Sequence, residues 1–383
     1  MDKLNCNKNS GSSVNTNSAA IPGSGSKTRV ALAAVRKGSP EQDMKSAIRS
    51  TIETITDFSW LSKGDNVFIK PALNSGYAYP ATTNPTAVEV MIKILKEKGA
   101  SRVIVGDMAG IQHVKLSRKG VLGSTRHLMV TSGLAKPVLT SGGEIHFFEE
   151  AGWNAFYEDF PVAGSHWKRG LMMPDILKKV DHIILMPRCS RHILTGSTLG
   201  IKNAVGYWRT DTRLEFHGDA STLQEKAAES NTVSTLLKKQ RLVVTTADKV
   251  LTTGGPDEGY VSQPEYGLIF ASGSVVAHDM VSLAWLLYIR ANVPLGGKLW
   301  FDPYKSQLIA GAGNRWVVNL LGGLRLALCA EKYIRNDIRD IWDDRILNRA
   351  YEIFGGVPRL IFVEANNILP GELKDRLIKM TTL

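Results

Sequence analysis

The sequence predicts an α/β fold, a mainly parallel sheet flanked by helices with a smaller C-terminal α/β or helical extension. Two observations carry this. Short, almost wholly apolar runs such as HIILM, RLVVTTA and GLIFAS alternate with segments whose apolar residues recur at helical spacing. Such alternation is the pattern of β-loop-α-β units.

Taken in order, Arg29 to Arg36 reads as the first strand, and Glu41 to Thr56 as a helix with Met44, Ile48, Ile52 and Ile55 along one face. NVFIKP is a second strand ended by Pro71. The loop ALNSGYAYPATTNP, a helix from Thr86 to Lys98 stopped at Gly99, and a strand from Arg102 that closes on Gly106 and Asp107 follow. This unit implies a parallel pair joined right-handedly. Its strand ends then lie side by side, which puts Lys70, Asn74, Asn84 and Asp107 on one rim.

A helix near Ser124 to Ser132, a strand from Glu144 to Phe148 and an aromatic insert from Trp153 to Trp167 come next. The helical PDILKKV leads into the strand HIILM. A polar helical stretch, about Ser221 to Lys239, precedes the strand RLVVTTAD, the glycine turn TTGGP, the strand GLIFAS and a mostly apolar helix from Val275 to Ile289. Pro294 to Gly297 marks a boundary, beyond which lie helical patterns and one clear strand, RLIFVEA. The expected organisation is a disordered Asn/Ser/Gly-rich tail at 1–28, a main α/β domain at 29–293, and a C-terminal extension or small lobe at 294–383.

The formal net charge is +11 over 383 residues, which draws anions. Five basic residues and no acidic one lie between Met108 and Gly143, so the charge gathers near one region and favours a small anionic partner over a long polyanion. Nucleic-acid binding is disfavoured, because no recognised module or interleaved aromatic pattern accompanies the charge. Three dispersed cysteines fit neither a disulfide framework nor a zinc site, and a reducing compartment follows. The expectation is a cytoplasmic protein with no signal peptide and no membrane span.

Chemistry concentrates between Met186 and Gly218, in MPRCSRHILTGSTLGIKNAVGYWRTDTRLEFHG. Ligands of open α/β sheets sit beyond the carboxyl ends of strands, and this stretch follows the strand HIILM. It lacks the GxxxxGK[ST] pattern of a nucleotide P-loop. Small residues from Thr195 onward can still offer backbone N–H groups and a helix N-terminus to an anion, with Lys202 and Asn203 extending from the first turns. His192 and His217 flank Lys202 and can act as acid, base or metal ligand. Asp107, Asp248 and Asp257 all follow strand-like runs and could orient other groups or bind metal.

The segments NVFIKPALN, TTNP, VIVGD, DHIILMPRCSRHILTGSTLGIKNAVG and TADKVLTTGGP, in that order, resemble the family catalogued as domain of unknown function 362. Many members carry a cysteine-rich, ferredoxin-like extension. This chain has no such cysteine set, so no iron–sulfur cluster is expected. The order strand, His, glycine-rich loop, Lys, Gly, His is also similar to that of the nickel-pincer lactate racemases. That resemblance implies Lys202 as attachment point of a nickel-pincer nucleotide or related metal cofactor, His217 as metal ligand, and His192 and His113 as acid/base pair. Asp107 is a further candidate metal ligand.

The expected function is that of an enzyme, isomerase-like or associated with redox chemistry, acting on a small carboxylate or phosphate such as a 2-hydroxy acid. Lys70, Asn74, Asn84, Arg188, Asn203 and Arg213 are its candidate substrate-binding residues. A non-catalytic ligand- or cofactor-binding protein serving a redox or maturation system is the alternative.

Overall fold

The computed structural model describes residues 27–293 and 306–383. The tail expected at 1–28 lies outside the described residues except for its last two positions, which open the first strand. The boundary expected at 294–297 lies outside them too.

Eight strands form the main sheet: β1 (Lys27–Arg36), β2 (Asn66–Pro71), β3 (Arg102–Asp107), β4 (Glu144–Phe147), β5 (His182–Met186), β6 (Gln240–Ala247), β7 (Tyr266–Ser272) and β8 (Arg359–Glu364). Their spatial order is β8-β1-β7-β6-β5-β2-β3-β4. β7 runs against its neighbours β1 and β6. The other neighbouring pairs are parallel.

Period-two side-chain alternation explains why these strands are apolar almost throughout. Val67, Ile69, Val103, Val105 and Ile184 face one layer, shared with the helices α1 (Glu41–Ile55) and α2 (Pro85–Glu97). Phe68, Ile104, Ile183, Leu185 and Val243 face the other, where the apolar helix α4 (Val275–Ala291) packs with α3 (Thr210–Gly218). Both faces of the sheet are therefore covered.

The polar helical stretch expected from about Ser221 to Lys239 is divided into four short pieces. Short 3₁₀ turns at Ala220–Thr222 and Ser230–Thr232 bracket the helix Leu223–Glu229, and a second helix covers Ser234–Lys239. Side chains compete with the backbone here. Ser230 donates to the Ala227 carbonyl oxygen, Thr232 to that of Glu229, and Asn231 reaches across to that of Ile201. The aromatic insert supplies a small antiparallel pair, Phe156–Asp159 with Leu171–Pro174.

The C-terminal strand docks on the main sheet, β8 lying parallel beside β1. The amide side chain of Asn366 then exchanges hydrogen bonds with both backbone groups of Ala34. Beyond it, the helices α5 (Gln307–Gly322) and α6 (Gly371–Thr381) pack on α3 and α4 respectively. Leu373 and Leu377 of α6 enter the same apolar cluster as Trp285. Among the described residues no helix is long and apolar enough to cross a membrane.

This shared core sets an expectation for unfolding. Leu377 is fully buried, so Leu377→Ala should cost about 2–5 kcal/mol and shift one single urea transition. A second, separate transition would contradict a core common to both ends of the chain.

Candidate functional site

The register pairs Pro71 with Met186 and Ile69 with Val105, so β2, β3 and β5 end at the same level. Their following loops meet there around a cavity of about 930 Å³. Ten of the eleven site residues expected from the sequence line it. The exception is Asn84, whose side-chain oxygen caps α2 by accepting from the Thr86 N–H, which corrects its assignment as a ligand group.

At the floor, Lys70 pairs with Asp107 at 2.9 Å, both buried. The ammonium also donates to the Pro71 carbonyl oxygen at 2.7 Å and to Asn203 Oδ1 at 3.4 Å. The carboxylate in turn accepts from the Leu73 and Met108 N–H groups at 3.0 and 2.8 Å. Burial pushes the Lys70 ammonium down and the Asp107 carboxyl up, and their mutual attraction opposes both shifts. Asn203 completes the unit by donating to the Lys70 carbonyl oxygen at 3.1 Å. A Cβ at Gly206 would lie 2.3 Å from Asp107 Oδ1 and 2.4 Å from Lys70 Nζ, so only glycine fits over the pair.

These contacts engage the expected ligand groups within the protein: Lys70 has three acceptors for its three protons, Asp107 is its counter-ion, and Asn203 contacts Lys70 through both ends of its amide. Arg213 lines the cavity but donates to the carbonyl oxygens of Ala109, Met108 and Gly206, tying α3 to the end of β3.

The Lys202 loop is a hairpin, Ser190–His192 with Gly196–Thr198, followed by a 3₁₀ segment Ile201–Tyr207. Its leading N–H groups do not cradle an external anion. Gly200 and Ile201 donate to the two oxygens of buried Asp279, at 2.8 and 2.7 Å, so the chain supplies its own anion there. The expected backbone cradle is thereby corrected.

Lys202 itself is half-buried, and among the described residues its polar contact is the Thr198 hydroxyl at 3.5 Å. Burial, aided by Arg188 and Arg213 and opposed by Asp257, brings it down to about 7. Arg188 is 2% exposed, donates to the Ala81 carbonyl oxygen, and has no partner for its Nε. Burial brings it down to about 10, still a cation at neutral pH. Among the described residues these two cations have no carboxylate in hydrogen-bond reach.

The histidines are fixed in opposite forms. His192 Nδ1 accepts from the Leu194 N–H at 3.1 Å, so its proton sits on Nε2. Burial, then Lys202 and Arg188, hold it well below the usual histidine range. At His217 the partner is Asn314, whose amide nitrogen donates to the His217 carbonyl oxygen at 2.8 Å. The Asn314 oxygen therefore accepts from His217 Nδ1–H at 2.9 Å, and Nε2 keeps a lone pair. Burial brings His217 down to about 4 despite the Asn314 bond.

A third unit comes from the loop between Val250–Leu251 and Val261–Ser262. Its Asp257 accepts from Asn74 Nδ2 at 2.5 Å and, through its other oxygen, pairs with His113 Nε2 at 3.1 Å. Asp257 orients His113, a role the sequence offered only as one of three loop aspartates. Asp248 is instead held by the Tyr79 hydroxyl at 2.6 Å.

The family model described as Domain of unknown function (DUF362) matches residues 67–284. The chain belongs to the DUF362 family. The DUF362 match takes in β2 to β7 and all the rim loops, while α5, with Asn314, lies beyond it. No curated protein matches the chain. Among solved structures, the lactate racemase apoprotein from Thermoanaerobacterium thermosaccharolyticum is similar at 12% identity, with 60% of this chain and 51% of that chain covered and a TM-score of 0.34.

A stability measurement separates floor from ligand contact. Asp107→Asn strands a buried ammonium and should cost about 3–5 kcal/mol, read by thermal or urea unfolding. Adding Lys70→Met should recover much of that loss. An Asp107→Asn variant as stable as the parent would contradict the structural role.

Proposed function

We propose that this DUF362 protein is an enzyme that binds a small organic anion and transfers a proton to or from it. The observation that carries the reading is the meeting, in one cavity, of two cations with no ion-pair partner among the described residues and two neutral histidines held in opposite tautomers. Lys202 and Arg188 attract and orient the anionic group. His192 presents Nε2–H and can donate to an oxygen of the substrate. His217 presents the Nε2 lone pair and can accept a proton or bind a metal. His113, oriented by Asp257, is a second candidate acid/base group. Isomerisation or redox change at a 2-hydroxy acid is the sharpest form of this proposal.

A nickel-pincer type of cofactor is compatible with two features of these residues. His217 donates Nδ1–H to an amide oxygen and leaves Nε2 open, as metal-binding histidines do. Lys202, brought down to about 7, has a substantial fraction of free amine at neutral pH. Lys202 would then hold the organic part and His217 the metal, and when bound the group would supply a hydride acceptor. Among the described residues no cluster of three or more His, Cys, Asp or Glu could hold a metal ion.

Titration calorimetry with acetate over a pH series tests the anion site. Lys202 carries its proton below about 7, so affinity should be highest at lower pH and fall as the pH rises through that value. In the same interval His217 is already neutral. Lys202→Met should abolish this dependence and leave the melting temperature equal or higher, because it removes a desolvated cation. Affinity independent of pH in the parent protein would contradict the assignment, and binding without turnover of any hydroxy acid would favour the non-catalytic alternative.

A further inference from the structure

The cavity is larger and less polar than a three-carbon acid requires. At about 930 Å³ it sits near the top of the range of roughly 300–1,000 Å³ that holds drug-sized ligands. Arg188 and Lys202 belong to the rim loop, α3 contributes Arg213 and His217 beside the buried Phe216, and α5 contributes Trp316 and Val317. Val317 is 7% exposed, but the Trp316 ring is 57% exposed, an unusual position for a large aromatic that also lines a cavity. Water facing such a wall is displaced favourably by apolar surface.

At the Arg188 end the guanidinium is almost fully buried, its Nε has no partner among the described residues, and it lies in a cavity with Lys202. A compact acid held there would leave Trp316 uncovered.

We propose that the ligand is an amphipathic organic anion, with a carboxylate or phosphate head at Arg188 and Lys202 and an apolar body of aromatic size against Trp316, beside Val317. This rests on the anion-site reading above and names the class of molecule the site takes. It also assigns α5, which lies beyond the family match, the part of the site that selects the body of the ligand.

The test is calorimetry on the full chain, below the Lys202 transition, with four probes: acetate, phenylacetate, inorganic phosphate and phenyl phosphate. Burial of a phenyl group should make the phenyl member of each pair at least about tenfold tighter than its parent. Trp316→Ala should bring that ratio towards one, and Lys202→Met should weaken the members of a pair alike. Whichever pair binds more tightly names the head as carboxylate or phosphate, and either ranking sustains the proposal. Equal affinity of parent and phenyl probes overturns the proposal and leaves the anion site standing. A phenyl preference that survives Trp316→Ala unchanged overturns it as well. Failure of all four probes to bind removes the anion-site reading on which it rests.

Discussion

The buried pair of Lys70 and Asp107 is the constraint on which the rest of the rim depends. It sits where β2 and β3 end, and desolvating two charges there is costly unless their remaining hydrogen-bonding capacity is met. The chain meets it with the carbonyl oxygen of Pro71, the amide of Asn203 and the N–H groups of Leu73 and Met108. Together these partners come from three pieces of the rim. The pair therefore fixes the loop after β2, the turn after β3 and the 3₁₀ segment that carries Lys202. The absence of a side chain at Gly206 lets that segment close over the two charges.

Against this saturated floor, the groups left open stand out. Lys70 has its three protons engaged by the protein and Arg213 donates through both terminal nitrogens to carbonyl oxygens, whereas among the described residues Lys202 reaches only a hydroxyl and Arg188 a single carbonyl oxygen. The histidines follow the same logic in neutral form, since a backbone N–H fixes one proton position in His192 and an amide oxygen fixes the other in His217. What a side chain can offer a ligand is what its neighbours have not taken. Asp279 shows the converse, since it occupies the N–H groups of Gly200 and Ile201 that a bound anion would otherwise use.

The sheet was legible because its strands are buried on both faces and so read as short apolar runs between helical patterns. The location of the site was legible because the basic and histidine residues follow the end of β5. Its internal wiring was not. Asp257, Asn314 and Asp279 act on His113, His217 and the Lys202 loop from far along the chain, and nothing local to those residues announces the contact. The pairing of β8 with β1 is of the same kind, joining the two ends of the chain. Asn84 is different. Asn before Pro85 at the start of a helical pattern is a cap signal that the sequence displays.

The opposed tautomers of the two cavity histidines are the centre of this account. Two-bond ¹⁵N–¹H correlation NMR of the full chain labelled at histidine reads them directly at neutral pH. His192 is expected with its proton on Nε2 and His217 with its proton on Nδ1, the less common form in water, both neutral. His217 found protonated on Nε2, or as a full imidazolium, would contradict it.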